Sequence, residues 1–234
     1  MKCDMKNFFR HEQKYICNYE QMVHLKNLLL SILPCDCHSL GDTYHISSLY
    51  FDTYDDRFLM ESVEGLPYRK KYRIRCYNHE MNKLKLECKE SCFSMKRKEF
   101  ICLDHKKANA LICQNFRSKE KIIEDFYSLQ KTELLQPKIV INYDRTAFVD
   151  QDFNIRVTLD TNITASKNET SLGIIETNGK GIIDSSFCIL EVKYNSCLPD
   201  YIARLLRLEN LEQVSFSKYV RGRLIIEPHL NCLK

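Results

Sequence analysis

Apolar and polar side chains alternate along residues 8–18, which predicts a strand. Residues 19–33 instead place Met22, Leu25, Leu28, Leu29 and Ile32 at helical spacing, and Pro34 stops that helix. A loop at 35–43 leads to a strand at 44–53 and a short helix or turn at 54–62, closed by Gly65 and Pro67. Further strands follow at 69–77, 83–91 and 96–103, then helices at 104–113 and 118–133. Residues 137–149 and 154–163 predict a hairpin turning at 150–152. Residues 171–177 and 187–195 read as strands, and 199–209 as a helix with Pro199 at its first turn. The last element, 215–226, reads as a helix broken near Gly222. Short strands with helices inserted between them predict an α+β fold built on an antiparallel sheet. With no linker, low-complexity stretch or repeat, residues 1–234 read as one domain.

Strand side chains alternate between faces, so parity sorts them. Along 83–89, Leu84, Leu86 and Cys88 share one face, while Lys83, Lys85, Glu87 and Lys89 share the other. Tyr72, Ile74 and Cys76 likewise oppose Lys71, Arg73 and Arg75. Ile155, Val157 and Leu159 oppose Arg156, Thr158 and Asp160, and Leu190 and Val192 oppose Glu191 and Lys193. A half-exposed sheet with one wet face gives the same parity. Two features favour closure instead. The polar faces are rich in Arg and Lys with isolated acids, and apolar helices are available to cover the other side. A closed barrel with charged interior and helices packed outside would need a polyanion to neutralise it. The isolated Glu and Asp would suit a hard divalent cation bridging to phosphate oxygens.

The net charge of +4 favours acidic ligands without identifying one. Twelve cysteines are scattered, Cys35 and Cys37 being the only close pair, and residues 1–10 lack a secretory apolar stretch. Reduced thiols and a cytoplasmic location are expected. No stretch is long and apolar enough for a membrane span. No basic stripe interleaved with exposed aromatics is evident, so nucleic acid is not an expected partner.

The motifs in order are RHEQKY at 10–15, ISSLYFDT at 46–53, KYRIRCY at 71–77, LKLECK at 84–89, KRK at 96–98, YDRTAF at 143–148, IRVTLD at 155–160, ILEVK at 189–193 and FSKY at 216–219. Together they resemble the VTC polyphosphate-polymerase domain of the triphosphate tunnel (CYTH-like) superfamily. The superfamily opens on Glu-x-Glu-x-Lys, whereas this chain has Arg10, Glu12 and Lys14 there. That departure is closer to the VTC branch than to the cyclase or thiamine-triphosphatase branches.

The resemblance implies phosphate contacts at Lys14, Arg73, Arg75, Lys89, Arg145 and Arg156, with Lys85, Lys96, Lys98, Lys193, Ser217 and Lys218 also binding phosphate. It implies a Mn²⁺ or Mg²⁺ cofactor on Glu191, with Glu12, Glu87 and Asp160 as further candidates that could instead hold neighbouring cations. Tyr50, Phe51 and Tyr77 read as packing residues. The implied activity is transfer of the γ-phosphate of ATP to inorganic polyphosphate, primed by pyrophosphate. Tripolyphosphate or nucleoside triphosphate hydrolysis, and mere polyphosphate or nucleotide binding, are the alternatives.

Overall fold

The computed structural model describes residues 10–36, 43–93, 95–167, 179–195 and 197–233. Its elements in chain order are β1 (His11–Asn18), α1 (Tyr19–Ile32), β2 (Tyr44–Asp52), α2 (Arg57–Val63), β3 (Tyr68–Tyr77), β4 (Leu84–Cys92) and β5 (Met95–Leu103). There follow α3 (His105–Ile112), α4 (Lys121–Thr132), β6 (Gln136–Asp150), β7 (Ile155–Lys167), β8 (Lys180–Gly181), β9 (Phe187–Tyr194), α5 (Asp200–Leu208), β10 (Glu212–Gln213) and α6 (Lys218–Ile226). The strand expected at 171–177 lies outside the described residues.

Local chemistry explains the boundaries. Asn18 caps α1 by accepting from the Gln21 amide, and the Gln21 side chain accepts from the Asn18 amide in return. Asp52 starts α2 by accepting from the amides of Phe58 and Leu59, each at 2.9 Å. Asp150 turns the β6–β7 hairpin by accepting from the amides of Asp152 and Phe153.

The strands form one antiparallel sheet in the order β10-β1-β9-β7-β6-β2-β3-β4-β5, with β8 on β7. The apolar parity set of β3 and β4 (Tyr72, Ile74, Leu86) packs under Leu111 of α3 and Phe126 of α4. The equivalent set of β7 and β9 (Val157, Leu190, Val192) packs under Leu25 and Leu29 of α1 and Ile202 of α5. Each such buried side chain contributes about 2 kcal/mol.

Three expectations are corrected. The ladder does not close into a barrel: β10 pairs with β1 at Tyr15 and Ile16, occupying part of the edge that β5 would need. Among the described residues, the backbone joins across this seam at an isolated bridge between Arg10 and Lys96, where the Arg10 amide donates to the Lys96 carbonyl at 3.4 Å. Nor do all the helices pack outside. α6 lies on the concave face, and it runs unbroken through Gly222. A β-carbon at Gly222 would stand 2.5 Å from Ile141 Cδ1 and 2.8 Å from Ile139 Cδ1. Glycine is there for close approach to the sheet, and it does not break the helix.

Candidate functional site

The concave face encloses a cavity of about 1230 Å³. Side chains from β1 to β7, from β9 and from the start of α6 line it. The charged parity sets of β3, β4, β7 and β9 thus meet on one wall. All the expected phosphate contacts reach this cavity: Lys14 from β1; Arg73 and Arg75 from β3; Lys85 and Lys89 from β4; Lys96 and Lys98 from β5. Arg145, Arg156 and Lys193 come from β6, β7 and β9, and Ser217 and Lys218 from the start of α6. Glu12 and Glu191 also line it, whereas Glu87 and Asp160 sit behind the cations they bind.

Glu87, Asp160 and Glu12 each organise a group of cations. Glu87 accepts from Arg73 Nε at 2.7 Å, and Lys98 Nζ lies 2.6 Å from its other oxygen. Asp160 accepts from Arg145 Nε and Nη2 at 2.6 and 2.7 Å, and from Lys218 Nζ at 2.5 Å. Glu12 accepts from Lys89 at 2.8 Å and Lys96 at 2.9 Å, with Lys14 3.4 Å away. These bonds cross the open seam of the sheet. Glu191 pairs with Lys193, and Asp36 lies 2.6 Å from Arg156 Nη2.

Burial alone would raise the Glu12 carboxyl, but Lys89, Lys193, Lys14 and Lys96 outweigh it and hold the group well below the usual carboxylate range. Glu191 is held low in the same way: burial and Glu12 oppose ionisation, while Lys193, Lys14 and Arg145 prevail. Asp160 is brought down to about 2, because Arg145 and Lys218 together overcome its burial. The carboxylates are therefore charged throughout the neutral range.

Tyrosine hydroxyls aim the guanidinium groups. Arg73 Nη1 donates to Tyr50 Oη at 2.8 Å, Arg75 Nη1 to Tyr77 Oη at 3.2 Å, and Arg156 Nη2 to Tyr44 Oη at 3.0 Å. Tyr50 and Tyr77 pack against the core as the sequence predicts, and so does Tyr44, to which the sequence assigns no role. Both Tyr50 and Tyr77 line the cavity, as Tyr44 does. The available signal was parity: Tyr77 stands two positions after Arg75 on β3, and Tyr44 and Tyr50 share one face of β2. Phe51 is a packing residue, buried against Phe126 with ring centroids 5.0 Å apart.

The donor set offers a metal oxygen ligands of the right chemistry, but few of them. Glu191 faces the cavity, and Glu12 is close enough to disfavour its charge. Among the described residues, no group of three His, Cys, Asp or Glu side chains could hold an ion. A hard divalent cation takes six or more oxygen ligands. These residues fit one that arrives with phosphate and water supplying most of its shell.

Elsewhere, Cys17, Cys76, Cys88 and Cys188 are buried free thiols. Cys37 lies outside the described residues. No described helix is long and apolar enough to cross a membrane.

Residues 9–226 match the family described as the VTC domain. Among solved structures, a candidate adenylate cyclase from Bacillus halodurans is similar at 14% identity, covering 91% of this chain and 96% of that one, with a TM-score of 0.57. A candidate adenylate cyclase from Vibrio parahaemolyticus is similar at 12% identity, covering 92% and 98%, with a TM-score of 0.50. At such identities the likeness shows a shared fold alone. No curated protein is found to match the chain.

Proposed function

The chain belongs to the VTC-domain family, and from that premise we propose that it is a polyphosphate polymerase, passing the γ-phosphate of ATP to the end of a growing inorganic polyphosphate chain. The observation that carries this reading is the cavity wall: a dense array of Lys and Arg, aimed by buried carboxylates and tyrosine hydroxyls, with more cations than acids to neutralise them. Such a wall suits an extended polyanion.

Phosphoryl transfer depends mainly on positioning and charge neutralisation. Arg73 and Arg75 bind phosphate oxygens in an orientation fixed by Glu87, Tyr50 and Tyr77. Arg145, held by Asp160, and Arg156, held by Tyr44 and Asp36, do the same from β6 and β7. Because these donors are fixed before substrate arrives, they stabilise charge developing on the transferred group without reorganising. The acceptor is the terminal phosphate of the chain. It is already anionic, so no side chain has to remove a proton from it. Lys14, Lys89 and Lys96 keep the polyphosphate in register as it lengthens. Mn²⁺ or Mg²⁺ held through Glu191 would neutralise part of the γ-phosphate charge.

The test is to incubate the protein with ATP, Mn²⁺ or Mg²⁺ and a trace of pyrophosphate, beside a Glu191→Gln control, and to resolve the products on a gel stained for polyphosphate. A metal-dependent ladder with ADP release, lost in the control, supports the polymerase. Free phosphate without a ladder replaces it with a tripolyphosphatase or nucleoside triphosphatase. Binding without turnover leaves a polyphosphate-binding module.

A further inference from the structure

Lys71 stands on the cavity face of β3, two positions before Arg73, and lines the cavity. Its Nζ donates to Ser217 Oγ at 3.0 Å. Ser217 is the N-cap of α6, its Oγ accepting from the Val220 amide at 3.4 Å. Among the described residues, Lys71 takes part in no ion pair, whereas Lys14, Lys89 and Lys96 share Glu12.

The groups that face Lys71 are nearly all positive: Lys14 from β1, Arg69 on its own strand, Lys89 from β4 and Lys96 from β5. From α6 come the Ser217 hydroxyl and the Tyr219 ring, whose centroid lies 5.8 Å from Nζ. Among the described residues, the lysines on β1, β4 and β5 already share Glu12, and Glu191 acts on Lys14 and Lys89 as well. An ammonium so placed lacks a counter-ion. The free amides at the start of α6 add partial positive charge at the same spot.

We propose that Lys71 is a further phosphate contact of the channel, holding one phosphate of the bound chain against Ser217 and the first turn of α6. This rests on the polyphosphate reading above and adds a residue to it. Burial first, then Lys89, Lys14, Arg69 and Lys96, push the Lys71 ammonium down to about 7. A phosphate supplies the missing anion and draws a proton from solvent onto Nζ. Binding therefore weakens as pH rises above neutrality.

The experiment measures the Kd of inorganic polyphosphate of defined length from about pH 6 to about pH 9, for wild type, Lys71→Arg and Lys71→Met. Wild-type affinity falls as pH rises. Lys71→Arg, whose guanidinium stays charged, keeps more of its affinity at the alkaline end and has a shallower pH profile, the remaining dependence belonging to Lys98, which is also pushed down to about 7. Lys71→Met binds about tenfold more weakly at the acid end, the worth of one such contact. Parallel pH profiles for wild type and Lys71→Arg, or wild-type affinity in Lys71→Met, overturn the assignment of Lys71 alone. Failure of wild type to bind polyphosphate overturns it together with the functional reading.

Discussion

Arg145 grips Asp160 through two parallel hydrogen bonds, Nε to Oδ1 at 2.6 Å and Nη2 to Oδ2 at 2.7 Å, with the carboxylate wholly buried. A planar fork of this kind fixes a guanidinium in both position and orientation. Removing one partner of a buried pair leaves the other charge uncompensated. Asp160→Ala is therefore expected to cost about 3–5 kcal/mol in denaturant melts. Asp160→Asn, similar in shape, should cost less and lower kcat/KM without moving the half-saturating concentration of Mn²⁺. A large rise in that concentration with stability unchanged would make Asp160 a metal ligand instead of a positioning residue.

The same pair sets an acid limit. Asp160 titrates at about 2 when folded against an ordinary 3.8, so the unfolded chain takes up its proton first as pH falls. The stabilisation is complete above about pH 4 and fades towards pH 2, and its size is roughly 2 kcal/mol. Urea melts of wild type and Asp160→Asn should converge over that interval. A gap that stays constant down to pH 2 would show that the carboxylate is not held low.

The Tyr50 hydroxyl accepts from Arg73 at 2.8 Å, and its ring stacks on Tyr219 with centroids 5.2 Å apart. Tyr50→Phe keeps the stack and removes the acceptor. A hydrogen bond to a charged donor is worth about 1.5–3 kcal/mol. Arg73 remains anchored by Glu87, so the expected loss is at the low end, roughly tenfold in polyphosphate affinity with little change in melting temperature. Unchanged affinity would return Tyr50 to a packing role.

Gly222 tests the placement of α6. Alanine gains up to about 1 kcal/mol of helix propensity. It also forces a methyl group against Ile139 and Ile141, both fully buried, where overpacking costs about 1–3 kcal/mol. Gly222→Ala should therefore destabilise by about 1 kcal/mol, and Gly222→Val by more. A stabilised alanine variant would mean that α6 stands away from the sheet.

Strand parity was enough to place Lys71, Arg73 and Arg75 beside Lys85, Glu87 and Lys89, because period two assigns a face before any partner is known. Depth was not available in the same way. Glu87 and Asp160 share that face with the cations, but only folding shows that they lie behind Arg73 and Arg145. The tyrosines do pack in the core, but their second role was not legible, because a hydroxyl partner 23 residues away (Tyr50 to Arg73) leaves no local trace. The open seam between Arg10 and Lys96 depends on β10, a two-residue strand too short to leave a periodic signal. The helix at α6 was legible at 215–226, but its place on the concave face was not. It meets isoleucines on one side and presents Ser217 and Lys218 to the cavity, so no single apolar stripe marks it.

The most direct measurement is a crystal structure of the protein with tripolyphosphate and Mn²⁺, the metal located by its anomalous scattering. Phosphates are expected inside the cavity, contacted by Arg73, Arg75, Arg145 and Arg156, with a manganese peak between Glu191 and phosphate oxygens. Phosphate bound only on the outer surface, with the cavity cations still paired to their own carboxylates, would contradict this expectation.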